Sequence, residues 1–200
     1  MSFFMWKWYT TQESGRNGAR QNVLRHMMAC GSGFTEKTKM IAVDHKGNEL
    51  LDIIDVNEAD ADKKYGPVNH CLAVVKTGDD YLMGWNNWRK DWEIFGGCRE
   101  ENETLRECIE RECKEELGLD HADFRYLGLM HFKLAPGYFN PDWHNEYGGL
   151  YGITLPKEYL PMIEEYRNDR EEIGKLAFYS DIKGKEEIAV IDEKLLEYWK

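Results

Sequence analysis

The feature that most constrains this chain is a helical segment that turns carboxylates toward its own apolar face. Between Thr104 and Gly118, apolar and small residues recur at helical spacing and define one arc, formed by Leu105, Cys108, Ile109, Cys113 and Leu117. Glu112 and Glu116 project into the same arc, and Glu115 lies at its margin. Carboxylates that face a core cost on the order of several kcal/mol of free energy unless partners are supplied.

A bound divalent cation would be such a partner, because hard cations such as Mg²⁺ and Mn²⁺ prefer carboxylate oxygens. Arg111 lies one turn before Glu115 and can orient a carboxylate through a salt bridge. The alternative is an ordinary acidic helix with an irregular apolar stripe. Taken alone, this segment leaves both interpretations open.

The ends of the helix are marked in the sequence. Thr104 is the predicted N-cap, Glu107 completes a capping box three residues later, and Gly118 stands where a glycine ends a helix. The predicted outward positions are Glu107, Glu110 and Lys114. A helix over residues 104–117 is therefore expected.

A glycine pair and two further acids precede the helix. Gly96 and Gly97 follow a predicted strand, and glycine allows a backbone carbonyl to approach a ligand closely. Glu100 and Glu103 lie in the connecting loop. The combined spacing of glycines and carboxylates is much more specific than either dipeptide would be alone, and it favours the metal-site interpretation.

Residues 97–119 resemble the Nudix box, G-x5-E-x7-R-E-U-x-E-E-x-G-U, in which U is aliphatic. The matching positions are Gly97, Glu103, Arg111, Glu112, Glu115, Glu116, Gly118 and Leu119. Cys113 stands at the first aliphatic position, where a free thiol behaves as a small hydrophobe. Phe95 stands where the family usually has proline. The resemblance extends less specifically over roughly residues 66–182, and it identifies no subfamily.

The resemblance implies a Nudix-type α/β/α sandwich with a mixed β-sheet. We expect the Nudix hydrolase domain to cover residues 36–200. Residues 1–35 have no counterpart in the family and are expected to form an N-terminal arm of unknown role. The implied activity is metal-dependent hydrolysis of a diphosphate bond in a nucleoside diphosphate linked to another moiety. The implied cofactor is Mg²⁺ or Mn²⁺.

The resemblance also implies roles for individual residues. The expected metal ligands are Glu112, Glu115, Glu116 and the backbone carbonyl of Gly97. The expected catalytic residues are Glu112, Arg111 and Glu103, of which Arg111 and Glu103 support the geometry of the loop and helix. Glu112 is our choice for the general base. The alternative bases, in or beside segments that could fold over the site, are Glu146, Glu171 and Glu172.

Candidate substrate contacts lie outside the box. Trp88 offers an aromatic plane for stacking a base, and Arg89 offers a cation for a phosphate. Glu146, Glu171 and Glu172 are also candidates for this role, although each could equally be an ordinary glutamate. The histidines show no paired metal spacing, so we expect His70, His131 and His144 to be structural.

Charge narrows the classes of molecule that the protein can bind, and cysteine content narrows the classes of structural site that it can contain. With 26 Lys+Arg against 37 Asp+Glu, the net charge is −11, which argues against binding nucleic acid or anionic membranes. The 5 cysteines include no Cys-x-x-Cys pair, which argues against a disulfide framework or a zinc knuckle. We therefore expect a cytoplasmic protein whose partner is a small phosphorylated molecule, a nucleotide derivative. Aromatic residues near the N-terminus make a homodimer worth testing.

Two other functions compete with hydrolysis. The first is isomerisation in the manner of isopentenyl-diphosphate isomerase, which shares the Nudix fold, although that enzyme's cysteine motif is not found here. The second is a non-catalytic Nudix-like ligand sensor, but such proteins often lose carboxylates that this chain keeps. The hydrolase remains the leading hypothesis.

Strands and helices alternate along the rest of the chain. Two hairpins are predicted, pairing residues 39–43 with 50–56 and 70–76 with 81–85. Further strands are predicted at 92–95, 124–132, 147–155 and 175–179, and further helices at 156–167 and 192–199. This alternation predicts a mixed sheet with helices on its faces.

Overall fold

A computed structural model describes residues 40–137 and 140–200. The predicted arm, residues 1–35, and the start of the predicted domain lie outside the described residues. Within the described ranges no helix is long and apolar enough to cross a membrane.

A mixed nine-stranded sheet organises the described chain. Its strands are β1 (Ala42–Val43), β2 (Glu49–Ile54), β3 (His70–Thr77), β4 (Asp80–Asn86), β5 (Trp92–Glu93), β6 (Phe95–Cys98), β7 (Arg125–Leu134), β8 (His144–Leu155) and β9 (Ile173–Phe178). Their order is β1-β2-β7-β8-β3-β4-β5, while β6 pairs with β3 and β9 pairs with β4. The pairing of β3 with β8 is parallel and the other strand pairings are antiparallel.

Helices cover both faces of this sheet. They are α1 (Ala61–Tyr65), α2 (Leu105–Leu117), α3 (Leu160–Tyr166), α4 (Tyr179–Ile182) and α5 (Val190–Leu195). Helix α2 packs on one face, where Cys108, Ile109 and Leu117 meet residues of β3 and β8. Helices α4 and α5 contribute Ile182 and Leu195 to a second apolar cluster, which contains Leu150. The expected α/β/α sandwich is confirmed.

Both predicted hairpins are confirmed, because β1 pairs with β2 and β3 pairs with β4. The strand expected at 92–95 is instead two strands: β5 pairs with β4, and β6 pairs with β3 from Phe95 through Gly96 and Gly97 to Cys98. The short helices α1 and α4 escape prediction because a helix of one turn is too short to show a hydrophobic period. The last strand ends at Phe178, one residue before the predicted end.

A carboxyl group of α5, the last α-helix described, is hydrogen-bonded to the sheet region. Asp192 of α5 accepts a hydrogen bond from the backbone N–H of Ile94 through Oδ2, at 3.0 Å. Burial, followed by the neighbouring charge of Glu93, raises the pKa of Asp192 from 3.8 to about 7. The folded protein therefore holds a proton here that the unfolded chain releases at lower pH.

This proton predicts a specific pH dependence of stability. Because unfolding releases the proton between about pH 4 and 7, the free energy of unfolding falls as the pH rises through that window. We expect Asp192→Asn, which keeps an acceptor for Ile94, to reduce this fall by about 2 kcal/mol. Urea denaturation of both proteins at about pH 5 and pH 7.5 measures the difference. An identical pH dependence in the two proteins would contradict the assignment.

Candidate active site

Helix α2 begins and ends as its sequence predicts. The Thr104 hydroxyl accepts from the backbone N–H of Glu107, whose side chain accepts from the backbone N–H of Thr104 at 2.8 Å. Gly118 ends the helix with φ 65 in the left-handed region. The predicted apolar arc is buried, and Glu107, Glu110 and Lys114 are exposed. The rotation of the helix is therefore set by its apolar residues, and this rotation decides where the glutamates lie.

Glu116 is buried against the glycine pair of β6. Its side chain is 3% exposed, and Oε2 accepts a hydrogen bond from the backbone N–H of Gly96 at 2.8 Å. Burial raises the pKa of Glu116 well above its usual range, and the charge of Glu112 raises it further. One backbone donor does not compensate a buried carboxylate beside a like charge. This carboxylate can gain a cation as an additional partner.

The carboxylate of Glu112 lies directly over Gly97. A Cβ at position 97 would stand 2.7 Å from Oε1 of Glu112, so glycine is what allows this approach. Oε1 also accepts a hydrogen bond from Nη1 of Arg111 at 2.7 Å. The backbone carbonyl of Gly97 accepts from the Cys108 thiol at 3.7 Å. Glu112 and the Gly97 backbone are therefore close neighbours, as the expected ligand set requires.

Arg111 joins the loop to the helix. Its Nε donates to Oε1 of Glu103 at 2.8 Å and its Nη2 to Oε2 at 3.1 Å, which makes a two-point pair. Nη2 also donates to the backbone carbonyl of Cys98 at 2.9 Å. Burial alone would raise the pKa of Glu103, but the hydrogen bonds from Arg111 and from the backbone of Glu100 bring it below its ordinary value. These contacts fit the supporting role expected of Arg111 and Glu103.

Glu115 is half-exposed at the edge of the site. One carboxylate oxygen lies 3.8 Å from Nη1 of Arg111. Its backbone carbonyl accepts from the N–H groups of Asn168 and Asp169 at 2.9 and 2.8 Å. This carbonyl therefore fastens the loop before β9 to the end of α2, and that loop carries Glu171 and Glu172.

The two glutamates of this loop have different environments. Glu171 is exposed. Glu172 is partly buried, and Oε1 accepts from Nδ2 of Asn86 at 3.2 Å. Burial raises the pKa of Glu172 to about 7, although Arg89 opposes the shift. The charge of Glu172 in turn acts on Glu116, so of the two it is Glu172 that the fold brings toward the box.

A buried acid that the sequence analysis missed lies beside Arg89. Glu93 is 4% exposed; its Oε1 accepts from Asn86 at 2.6 Å and its Oε2 from Arg89 at 2.5 Å. Arg89 is thus paired with the carboxylate of Glu93, four residues later in the chain. Trp88, beside Arg89, is 46% exposed. The signal that could have found Glu93 is a charged residue inside a predicted buried strand.

Glu146 lies in β8 and is 6% exposed. Its Oε1 is 3.2 Å from Nδ1 of His70 in β3, a residue that the sequence analysis treats as structural. The strand begins at His144, three residues before the predicted start, and this extension is what places Glu146 on the sheet.

The residues present fit a hard divalent cation. Across the described ranges no three His, Cys, Asp or Glu side chains converge as a ready-made ligand set. Mg²⁺, however, commonly binds through one or two carboxylates, keeping waters and substrate phosphates as its other ligands. Glu112 and Glu116 offer two buried, mutually repelling carboxylates beside the backbone of Gly97. A cation there would relieve their repulsion.

Comparison with known proteins identifies the family and the fold. A family model described as the NUDIX domain matches residues 34–182. No curated protein matches the chain. Among solved structures, the chain is similar to a mutant of the pyrophosphohydrolase BsRppH from Bacillus subtilis, with 16% identity, TM-score 0.51, and coverage of 75% of this chain and 85% of that one. This likeness shows the fold.

Two further structures have lower scores. A MutT NUDIX hydrolase from Burkholderia pseudomallei has 14% identity and TM-score 0.49, covering 64% of this chain and 95% of that one. The NUDIX domain of Shewanella oneidensis NrtR, complexed with ADP ribose, has 15% identity and TM-score 0.49, covering 72% of this chain and 96% of that one.

From the match over residues 34–182 and the box at 97–119, the chain belongs to the Nudix hydrolase family, whose members hydrolyse pyrophosphate bonds.

Proposed function

We propose that this protein hydrolyses the diphosphate bond of a nucleoside diphosphate linked to another moiety, and that the reaction depends on Mg²⁺ or Mn²⁺. The observation that carries the proposal is the buried pair of Glu112 and Glu116 beside Gly97. Two like charges at this depth are costly unless a cation joins them. A diphosphate is a substrate that would approach through such a cation.

The proposed ligands of the cation are Glu112, Glu115, Glu116 and the Gly97 carbonyl. The bound cation would neutralise the diphosphate and make a water more acidic. Glu116 is held by the Gly96 N–H, and Glu112 is held by Arg111. Each carboxylate is therefore fixed before the substrate arrives, which reduces the reorganisation needed during the reaction.

The general base in this proposal is Glu112. Its carboxylate receives the proton of the attacking water, and its position over Gly97 aims it at the same region as the other ligands. Glu103 supports it indirectly, because the two-point pair with Arg111 fixes the guanidinium that holds Glu112. Glu172, whose pKa burial raises to about 7, is an alternative base.

The moiety beyond the diphosphate is the part of the substrate that Trp88 and Arg89 would meet. Trp88 presents an exposed indole on which a base can stack. Arg89 lies beside it, with one side of its guanidinium held by Glu93. The net charge of −11 agrees with recruitment through a cation instead of through a basic surface.

A substrate panel tests the proposal. The purified protein is incubated with ADP-ribose, dinucleotide polyphosphates, nucleotide sugars and nucleoside triphosphates, each with Mg²⁺, with Mn²⁺ and with a chelator. We expect phosphate or nucleotide release from at least one compound, abolished by the chelator. If the metal binds but no compound is hydrolysed, the hydrolase proposal is contradicted, and an isomerase or a ligand sensor becomes the better explanation.

A further inference from the structure

A histidine–glutamate pair lies next to the box without belonging to it. His70 begins β3, where it is the register partner of Cys98 in β6 and of Gly148 in β8. Its Nδ1 is 3.2 Å from Oε1 of Glu146, and both side chains are largely buried. The pair joins neighbouring strands of the sheet.

The surroundings are shaped to hold the imidazole. A Cβ at position 148 would stand 2.3 Å from Nε2 of His70, so Gly148 leaves the space that the ring fills. On another side the ring packs against Phe132, with 5.4 Å between the ring centroids. A glycine inside a strand weakens the strand unless something must come close to it, and here the ring does so.

In the part of the chain that the structure describes, the ring nitrogens of His70 lack hydrogen bonds that they are able to make. Nδ1 of His70 is buried, and its alignment with Glu146 is too poor for a regular hydrogen bond. Within the described ranges Nε2 makes no hydrogen bond. A carboxylate beside one ring nitrogen fixes the orientation of an imidazole and directs the other nitrogen toward a ligand. Glu146 is therefore in place to aim Nε2.

The pair borders the proposed cation site. His70 is the register partner of Cys98, and Cys71, the next residue of β3, is the register partner of Gly97, so His70 lies one register position from Gly97. Cys98 lies between the two groups of acids. Burial, followed by the charges of Glu112 and Glu146, raises the pKa of its thiol to about 12. A diphosphate held at the box would thus pass close to His70.

A hydrogen-bond donor is needed on the side of the substrate that faces His70. The cation would meet some oxygens of the diphosphate, and the surrounding carboxylates repel the others. Arg111, the arginine of the box, already donates to the carboxylates of Glu103 and Glu112. An Nε2–H on this imidazole can donate to a phosphate oxygen, while Glu146 contacts the ring from the Nδ1 side.

We propose that His70 is a substrate-binding residue of this hydrolase, whose Nε2–H donates to a phosphate oxygen of the diphosphate, and that Glu146 is its positioning residue. This inference rests on the proposed function. It changes the expected role of His70 from structural to functional, and it gives Glu146 a role through His70.

The direct test is NMR of the imidazole groups with methylenediphosphonate, a non-hydrolysable diphosphate, in the presence of Mg²⁺. The signal of His70 is assigned by its loss in His70→Gln. We expect this signal to shift when the analogue is added, while that of His131, which stacks on Tyr147 and contacts Asn145, does not. Calorimetry measures binding of the analogue in the same samples.

Kinetics on the substrate found by the panel give a second readout. We expect His70→Phe to raise KM about tenfold with a smaller change in kcat, because the lost contact is to bound substrate. His70→Gln, which keeps an amide donor, should recover part of the loss, and His131→Gln should have no effect. Glu146→Gln keeps the shape of the side chain and should raise KM less than His70→Phe.

The outcomes are separable. If the analogue binds but the signal of His70 does not move, the assignment of His70 is wrong and the proposed function stands. If the analogue does not bind at all, the diphosphate proposal fails and this inference fails with it. The NMR result on the unmodified protein decides the matter even where His70→Phe or Glu146→Gln folds poorly.

Discussion

Glu116→Gln is expected to remove nearly all activity and yet to stabilise the fold. Activity should fall by about 100-fold or more, because the cation loses a charged oxygen ligand. Stability should rise at neutral pH in the presence of a chelator, because burial and the charge of Glu112 disfavour the ionised form of Glu116. The amide oxygen of Gln can still accept from Gly96. We expect a gain of about 1–2 kcal/mol in the free energy of unfolding.

Glu110→Gln is the matched control. Glu110 lies on the same helix but is exposed, so its replacement should change neither activity nor stability appreciably. Turnover and urea denaturation, both with and without Mg²⁺, measure the two effects. Added Mg²⁺ should stabilise the unmodified protein more than it stabilises Glu116→Gln, since only a ligand that binds the folded state stabilises it. Loss of stability in Glu116→Gln would contradict the account.

Gly96→Ala and Gly97→Ala, in adjacent positions, are expected to fail in opposite ways. At position 96 a Cβ would stand 2.1 Å from the carbonyl oxygen of Cys71, and φ is +132. Both the clash and the backbone strain involve parts of the main chain that cannot move aside. Gly96→Ala should therefore cost about 3 kcal/mol or more of stability.

At position 97 the three atoms nearest to the Cβ would all belong to the carboxylate of Glu112, which is the end of a flexible side chain. Gly97→Ala should fold with little loss of stability, but it should displace Glu112 and lower kcat at least tenfold. Thermal denaturation and turnover of the two variants test this contrast. Full activity of Gly97→Ala would show that the close approach of Glu112 to Gly97 does not contribute to catalysis.

The sequence predicts the site well where its residues are close along the chain. The capping residues and the apolar arc fix both the ends and the rotation of α2, so the burial of Glu112 and Glu116 follows from local spacing. The pair between Arg111 and Glu103 spans a single loop. The main fold class follows for the same reason, because hairpins and interleaved helices are local patterns.

The contacts that the sequence analysis missed join residues that are distant in the chain. His70 meets Gly148 only because β3 and β8 run in parallel, a pairing that no local pattern specifies. Glu172 meets Asn86 because β9 pairs with β4. Strand propensity disfavours glycine, yet β6 passes through Gly96. It does so because Gly96 lies against the backbone of Cys71, where a Cβ would clash. Tertiary pairing overrides local preference at each of these places.

Binding of Mn²⁺ tests the central claim most directly, because it needs no substrate. Electron paramagnetic resonance titration of the unmodified protein and of Glu110→Gln should show the same affinity. Glu112→Gln and Glu116→Gln should each bind about tenfold or more weakly. If all four proteins bind Mn²⁺ equally, or if none binds it, the buried carboxylates of α2 do not hold a cation and the account is wrong.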